Sequence, residues 1–344
     1  MKAFATYIYV LSTYTKEIEI HRNWKLRMTS TFSLMSRLSL LTVCLIGLSV
    51  LMSACGSEES TESAADTKPY IVATTGMIAD AVSEVVGDLA TVEGLMGPGV
   101  DPHLYKATRG DLTQLRKAKV IFYNGLHLEG KMGEVLEKLS EQKPVYAVGE
   151  ALSSDSLIYH GSNTDSKDPH IWFDVSMWTQ VVSEIGLRMG EVDTPNKAIY
   201  MQRAEAYIQQ LRSLHGAVGQ KLAEIPPSQR VLITAHDAFS YFGRAYGVEV
   251  RGLQGISTVS EFGLKDVSEL VDFIVSRKIK AVFVESSIPT RSLEAVIASC
   301  KQQGHEVKLG GTLFSDAMGA ANTPEGTYIG MVNYNVETIT EALK

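Results

Sequence analysis

The segment "TPNKAIYMQRAEAYIQQLRSLHGAVGQKLAEIPP", Thr194 to Pro227, decides how the chain is organised. It holds no strand-like run. Thr194 reads as an N-cap with Pro195 at the first helical position, and Pro226-Pro227 stop the segment. Roughly 30 residues at 1.5 Å each predict a helix about 45 Å long. That exceeds an ordinary crossover between neighbouring strands. The segment therefore reads as a rigid helix joining two blocks, residues 69–193 before it and 227–344 after it.

Each block has the composition of α/β units. "YIVATTG" (70–76), "TVEGLM" (91–96) and "VIFYNG" (120–125) are short apolar or β-branched runs in the first block. "VLITAH" (231–236), "AVFVESS" (281–287) and "EVKLGG" (306–311) are their counterparts in the second. Between them lie segments of helical spacing such as "MIADAVSEVVG" (77–87) and "DVSELVDFIVSRK" (266–278). Short strands alternating with helices of about a dozen residues predict mostly parallel sheets flanked by helices. The expected fold is α/β with two lobes, linked by the helix over 194–226.

The N-terminal 54 residues stand apart. Leu38 to Ala54, "LSLLTVCLIGLSVLMSA", carries no charge, follows Arg37 and ends at the small pair Ser53-Ala54 before Cys55. A basic edge, a short apolar run and a small-residue exit describe a secretory signal rather than a core helix. The exit resembles a lipoprotein lipobox, which makes Cys55 the lipidated residue of an exported, membrane-anchored protein. Residues 1–34 fit no signal pattern, and Met28 or Met35 would give a conventional start. "GSEESTESAAD" (56–66) is small and polar, so residues 55–68 read as a flexible tether.

Without the leader, 26 of the 32 Lys and Arg and 37 of the 39 Asp and Glu remain, a net charge of −11. This excludes nucleic acid as a partner, because phosphate binding needs clustered Lys and Arg. Of the three cysteines, Cys44 lies in the leader and Cys55 is the acylation site. Cys300 is left alone, which excludes an intrachain disulfide and a multi-cysteine zinc site.

Strand exits in α/β sheets are where ligands bind. His236 leaves "VLITA" directly, and His103 follows "TVEGLM" through "GPGVDPH". His170 sits in "KDPHIWFD", and Asp316 follows the last strand in "GGTLFSDAMG". Three imidazoles and a carboxylate suit zinc, and also iron or manganese. Asp101-Pro102-His103 and Asp168-Pro169-His170 repeat one device. Proline stiffens the loop and holds the preceding Asp extended. The Asp carboxylate can accept from backbone N–H groups of the turn or from an imidazole N–H. The sequence leaves both roles open. Singly, each residue has an ordinary structural explanation, and the four together carry the reading.

"GVDPHLYKATRGDL", "FYNGLHLE", "DPHIWFD", "TAHDAF", "VFVESS" and "LFSDAMG" together resemble the motifs of the metal-binding solute receptors of bacterial zinc/manganese ABC importers. This is the TroA-like group, or cluster A-I, and the likeness runs from Tyr70 to Lys344. The resemblance implies His103, His170, His236 and Asp316 as ligands of one divalent metal, zinc or manganese, carried as cargo and handed to a permease. It implies a monomeric receptor facing the periplasm or cell exterior, not an enzyme. It also implies small lobe motions, with release by displacement of His236 and Asp316 in the second block. An adhesin role is sometimes attributed to the family. His127 and Glu129 match a loop near the site, with packing and supporting roles. Glu285 faces the same region as a hydrogen-bond partner or a further ligand. His160 is the only histidine where many zinc receptors carry a His-rich loop. His215 and His305 read as surface residues, and Trp172, Phe173 and Phe239 as core or an apolar wall. Binding by neutral imidazoles predicts that affinity falls below about pH 6. The alternative function is a secreted zinc-dependent hydrolase, which needs an open coordination position and a base, with Glu285 the one candidate.

Overall fold

Apolar runs that tolerate burial on both faces build the centre of the first block. The computed structural model describes residues 68–160 and 166–344. The leader, Cys55 and the tether as far as Thr67 lie outside the described residues. Strand β1 (Tyr70–Ala73) is central, with Ile71, Val72 and Ala73 fully buried. It pairs in parallel with β2 (Thr91–Gly94) on one side and β3 (Val120–Tyr123) on the other. β3 pairs with β4 (Val145–Ala147), so the sheet runs β2-β1-β3-β4. β4 is three residues of "VYA" and gave no strand signal of its own length.

Helix α1 (Gly76–Val86) covers this sheet with Met77, Ile78, Ala81, Val82, Val85 and Val86. Their spacing forms one apolar stripe, as an amphipathic helix requires. It stops at Gly87, whose φ of 54° suits glycine. α2 (Arg109–Lys117) begins at a reciprocal capping box between Thr108 and Asp111. The Tyr105 hydroxyl donates to Asp111 at 2.7 Å, tying the segment after His103 to that cap. α3 (Gly133–Ser140) precedes β4. α4 (Val175–Val192) starts where Asp174 accepts the N–H groups of Ser176 and Met177.

The long helix is α5, Lys197–Leu222, 26 residues. Thr194-Pro195-Asn196 forms a separate 3-10 turn before it, so Thr194 is not its N-cap. Asp193 holds that junction by accepting from Asn196 and from the Tyr200 hydroxyl. The helix frays at Ala223, three residues ahead of the prolines. Tyr200, Ala204, Tyr207, Ile208, Leu211, Leu214, Val218 and Leu222 form its buried stripe. This stripe lies along α4, α1 and the last helix, α9 (Tyr328–Leu343), so α5 is packed throughout its length.

After α5 come β5 (Val231–His236), α6 (Ser240–Tyr246) and β6 (Glu249–Gln254), then α7 (Leu264–Arg277), β7 (Ala281–Glu285), α8 (Arg291–Gln302) and β8 (Lys308–Leu313). β5 pairs in parallel with β6, and β7 with β8. β5 lies beside β7 without a hydrogen-bonded ladder between the two pairs. β6 escaped the sequence reading because "EVRGLQ" alternates weakly and contains a glycine. Residues 68–344 form one contact-dense unit. Its main core runs from Ile71 through Trp172, Leu211 and Phe239 to Leu343, and so spans both blocks.

Candidate metal centre

The four residues that the sequence singled out meet at one point. The ligand atoms of His103, His170, His236 and Asp316 all lie within 4.8 Å of one another. None of the four residues is more than 3% exposed. His103 and His170 bring their Nε2 atoms to 3.3 Å. Asp316 Oδ2 lies 3.3 Å from His236 Nε2 and 3.7 Å from His103 Nε2, and Oδ1 lies 3.5 Å from His170 Nε2. A tetrahedral zinc with bonds of about 2.0–2.1 Å requires donors roughly 3.3 Å apart. Four of the donor pairs, at 3.3–3.7 Å, come close to that requirement. Among the described residues, neither Asp316 oxygen has a hydrogen-bond partner. A buried carboxylate without one is costly unless a cation completes it.

Each ligand is delivered by a different local device. Asp101 accepts the backbone N–H of His103 at 2.8 Å, closing the turn after the Gly-Pro-Gly loop. Asp168 accepts the His170 N–H at 2.9 Å and meets its Nδ1 at 2.7 Å, which leaves Nε2 for the centre. His236 is the last residue of β5, and its N–H donates to Glu285 Oε1 at the end of β7. Glu285 Oε2 lies 2.6 Å from His236 Nδ1, off the ring N–H axis. Asp316 follows β8, in a loop where the Ser315 carbonyl accepts from Trp172 Nε1. Glu285 is thus a partner of His236 and lies outside the cluster of four.

Electrostatics sort the group. Burial lowers the His103 imidazole to about 4, against the opposing pull of Asp316, so it is neutral at physiological pH. Burial opposes charge on Asp316 as well, but His236, His170 and His103 hold it well below the carboxylate range. Burial would lower His236, yet Glu285 and Asp316 outweigh it and raise this imidazole well above its ordinary value. Burial opposes ionisation of Asp168 too, and His170 and His160 bring it down to about 2.

Other expected residues have more distant tasks. Glu129 is buried and accepts from the Thr74 hydroxyl and the N–H groups of Asn124 and Gly125. Asn124 in turn donates to the Pro169 carbonyl, next to His170. Glu129 thereby fixes a turn in which Gly125, Leu126 and His127 all have positive φ, 74°, 54° and 66°. Two non-glycine residues there are strained. His127 is exposed and lies outside the cluster of four, lining the same cavity as His103. Trp172 packs edge-on to His170 at 5.3 Å, and Phe173 stacks near Phe239 at 4.1 Å, so these rings form the apolar wall. His160 contacts Asp168 Oδ2 at 3.3 Å, so Asp168 touches two imidazoles, a pairing with no sequence signal. His215 and His305 are half-buried rather than surface residues: His215 meets the Tyr246 hydroxyl at 3.0 Å, and His305 the Ile279 carbonyl at 2.8 Å. Thr258, whose hydroxyl donates to Asp101 at 2.6 Å, lies in "GISTVSEF" and carries no motif.

The chain is similar to known metal-binding proteins. The chain is 47% identical over 293 residues to the manganese-binding lipoprotein MntA of Bacillus subtilis, covering 85% of this chain and 95% of that protein. It is 47% identical over 300 residues to the zinc-binding protein TroA of Treponema pallidum, covering 87% and 97%. The solved structure of the periplasmic zinc-binding protein TroA from Treponema pallidum superposes with a TM-score of 0.78 at 49% identity, over 80% of this chain and 99% of that one. A family described as "Zinc-uptake complex component A periplasmic" matches residues 71–342. With that span and those identities, the chain belongs to the ZnuA family.

Proposed function

We propose that this protein is an extracytoplasmic receptor that holds one divalent metal ion, zinc or manganese, between His103, His170, His236 and Asp316 and delivers it to an ABC importer permease. The observation that carries the reading is the buried, mutually spaced set of three imidazole nitrogens and an unpartnered carboxylate. The ion is cargo, and no bond-breaking step is needed. Three nitrogen donors favour zinc over manganese at equilibrium by the Irving–Williams order, and metal supply then decides which is carried. The names of the relatives divide in the same way, manganese for MntA and zinc for TroA. The hydrolase alternative needs Glu285 as a free base, whereas here it is engaged with both the N–H and the ring of His236. Cys55 anchors the receptor to the membrane through lipid, facing the periplasm or the cell exterior, with residues 55–68 as tether and the receptor monomeric.

Chelator-stripped protein titrated with zinc and with manganese tests this reading. One equivalent bound, and none in His170→Ala, is expected. An equally tight site in that variant would overturn the ligand assignment.

A further inference from the structure

The two histidine arms of the first block are fastened to the second block very unequally. The His170 arm is held by three buried hydrogen bonds. The Tyr241 hydroxyl donates to the Asp168 carbonyl at 3.0 Å, and Trp172 Nε1 donates to the Ser315 carbonyl at 3.0 Å. The Tyr328 hydroxyl donates to the Trp172 carbonyl at 2.7 Å. Stacked Phe173 and Phe239 reinforce them. The His103 arm is different. Apart from the approach of His103 to Asp316, its one hydrogen bond to the second block, among the described residues, runs from the Thr258 hydroxyl to Asp101 Oδ2. The other oxygen of Asp101 holds the His103 N–H, so this single contact bears on the ligand through one carboxylate.

The surroundings of the two arms differ in the same sense. A cavity of about 430 Å³ is lined by His103 and by none of the other three candidate ligands. Ile256, Ser257 and Ser260, from the loop that carries Thr258, form its other side. That loop is shaped from within by Gln254, whose side-chain amide donates to the Thr258 and Ser260 carbonyls. Gln254 also pairs in register with His236 at the ends of β6 and β5. Thr258 thus closes a path from the His236 strand to the His103 arm across the wall of the cavity.

From this we infer that the metal leaves past His103, and that Thr258 is the positioning residue that clasps the His103 arm and limits the rate of release. The inference rests on the ligand reading given above. It reverses the expectation that His236 and Asp316, in the second block, move first. His236 ends β5 with its N–H held by Glu285, and Asp316 lies in the buried loop after β8 whose Ser315 carbonyl accepts from Trp172. The His103 arm, by contrast, has one half-buried hydrogen bond to lose. Loss of a hydrogen bond of this kind is worth roughly five- to tenfold, so it should appear in a rate rather than in stoichiometry.

The test is stopped-flow transfer of zinc from the loaded protein to a chromogenic chelator in excess. Thr258→Val keeps the side-chain shape and removes the donor. Its release rate should rise roughly five- to tenfold, with one zinc still bound per chain. Thr258→Ser, which restores the hydroxyl, should return the rate to that of the parent. Gln254→Met, which loosens the same loop and leaves the Thr258 hydroxyl in place, should also speed release. A parental rate in Thr258→Val, or a serine variant as fast as the valine one, would overturn the inference. Failure of the ligand reading looks different, because then His170→Ala still takes up one zinc as tightly as the parent.

Discussion

Asp168 grips His170 twice through one oxygen, accepting its backbone N–H at 2.9 Å and meeting Nδ1 at 2.7 Å. Asp101 stands in the same place of the other Asp-Pro-His tripeptide, yet accepts the His103 N–H and spends its second oxygen on Thr258. One aspartate orients a ring as well as a turn, and the other holds a turn and bridges to the second block. Partners that orient a ligand imidazole are typically worth about 10–100-fold in metal affinity. Asp168→Asn should therefore weaken zinc binding within that range in a competitive titration. Unchanged affinity would show that the ring needs no carboxylate to hold its tautomer.

Proton balance gives a second expectation. His236 is raised above its ordinary 6.5, so it holds a proton at neutral pH in the metal-free protein. Uptake of metal must displace that proton, and apparent affinity should rise about tenfold per pH unit near neutrality. The sequence placed the loss of affinity below about pH 6, and the carboxylates beside His236 move its onset upward. For the metal-free fold, a raised imidazole contributes stability that is fully present below pH 6.5 and is lost as pH rises through the folded value. The thermal shift produced by zinc should accordingly grow between pH 6 and pH 8. Calorimetry in two buffers of unlike protonation heat should give about one proton released per zinc. Zero protons would mean that His236 starts neutral.

Gly252 on β6 allows the backbone to approach His236 closely. A Cβ there would lie 2.4 Å from the Asp237 nitrogen and 2.6 Å from the His236 carbonyl carbon. Both are backbone atoms of β5 and its exit, so Gly252→Ala must shift the strand end that carries the ligand. A loss of about 1–3 kcal/mol in stability is expected from such overpacking, together with weaker zinc binding. Gly255→Ala, where nothing lies within 4 Å, should be near neutral in the same denaturant and titration experiments.

Asp80 on α1 accepts from the Tyr207 hydroxyl at 3.0 Å and the Tyr328 N–H at 3.2 Å. Burial raises its carboxyl to about 6, against the pull of those two donors. A raised folded value means that its contribution to stability is fully present below 3.8 and is lost as pH rises through about 6. Asp80→Asn should then be more stable than the parent at pH 8, by about 1–3 kcal/mol, and close to it at pH 4. Equal denaturation midpoints at pH 8 would show that the carboxylate carries no strain.

Much of this was readable from the chain because the informative residues are local. The strand runs ending in His236 and Glu285, the stiff Asp-Pro-His arms and the uninterrupted helix before Pro226-Pro227 each carry their own signal. What escaped is set by tertiary contact. β4 and β6 are strands because β3 and β5 pair with them, not through their own pattern. Thr258 and His160 matter only because folding brings them to Asp101 and Asp168, 157 and 8 residues away. The half-burial of His215 and His305 has no local signal, because it depends on Tyr246 and Ile279, which folding packs against them from elsewhere in the chain. The separate turn at Thr194–Asn196 arises because Asp193 takes up the Asn196 and Tyr200 side chains.

The most direct test of the central claim is anomalous diffraction at the zinc edge from crystals of the zinc-loaded protein. The account predicts one strong peak, with His103, His170 and His236 Nε2 and an Asp316 oxygen each about 2.0–2.2 Å away. A peak elsewhere, or one bound by three of these groups and an open water position, would contradict it.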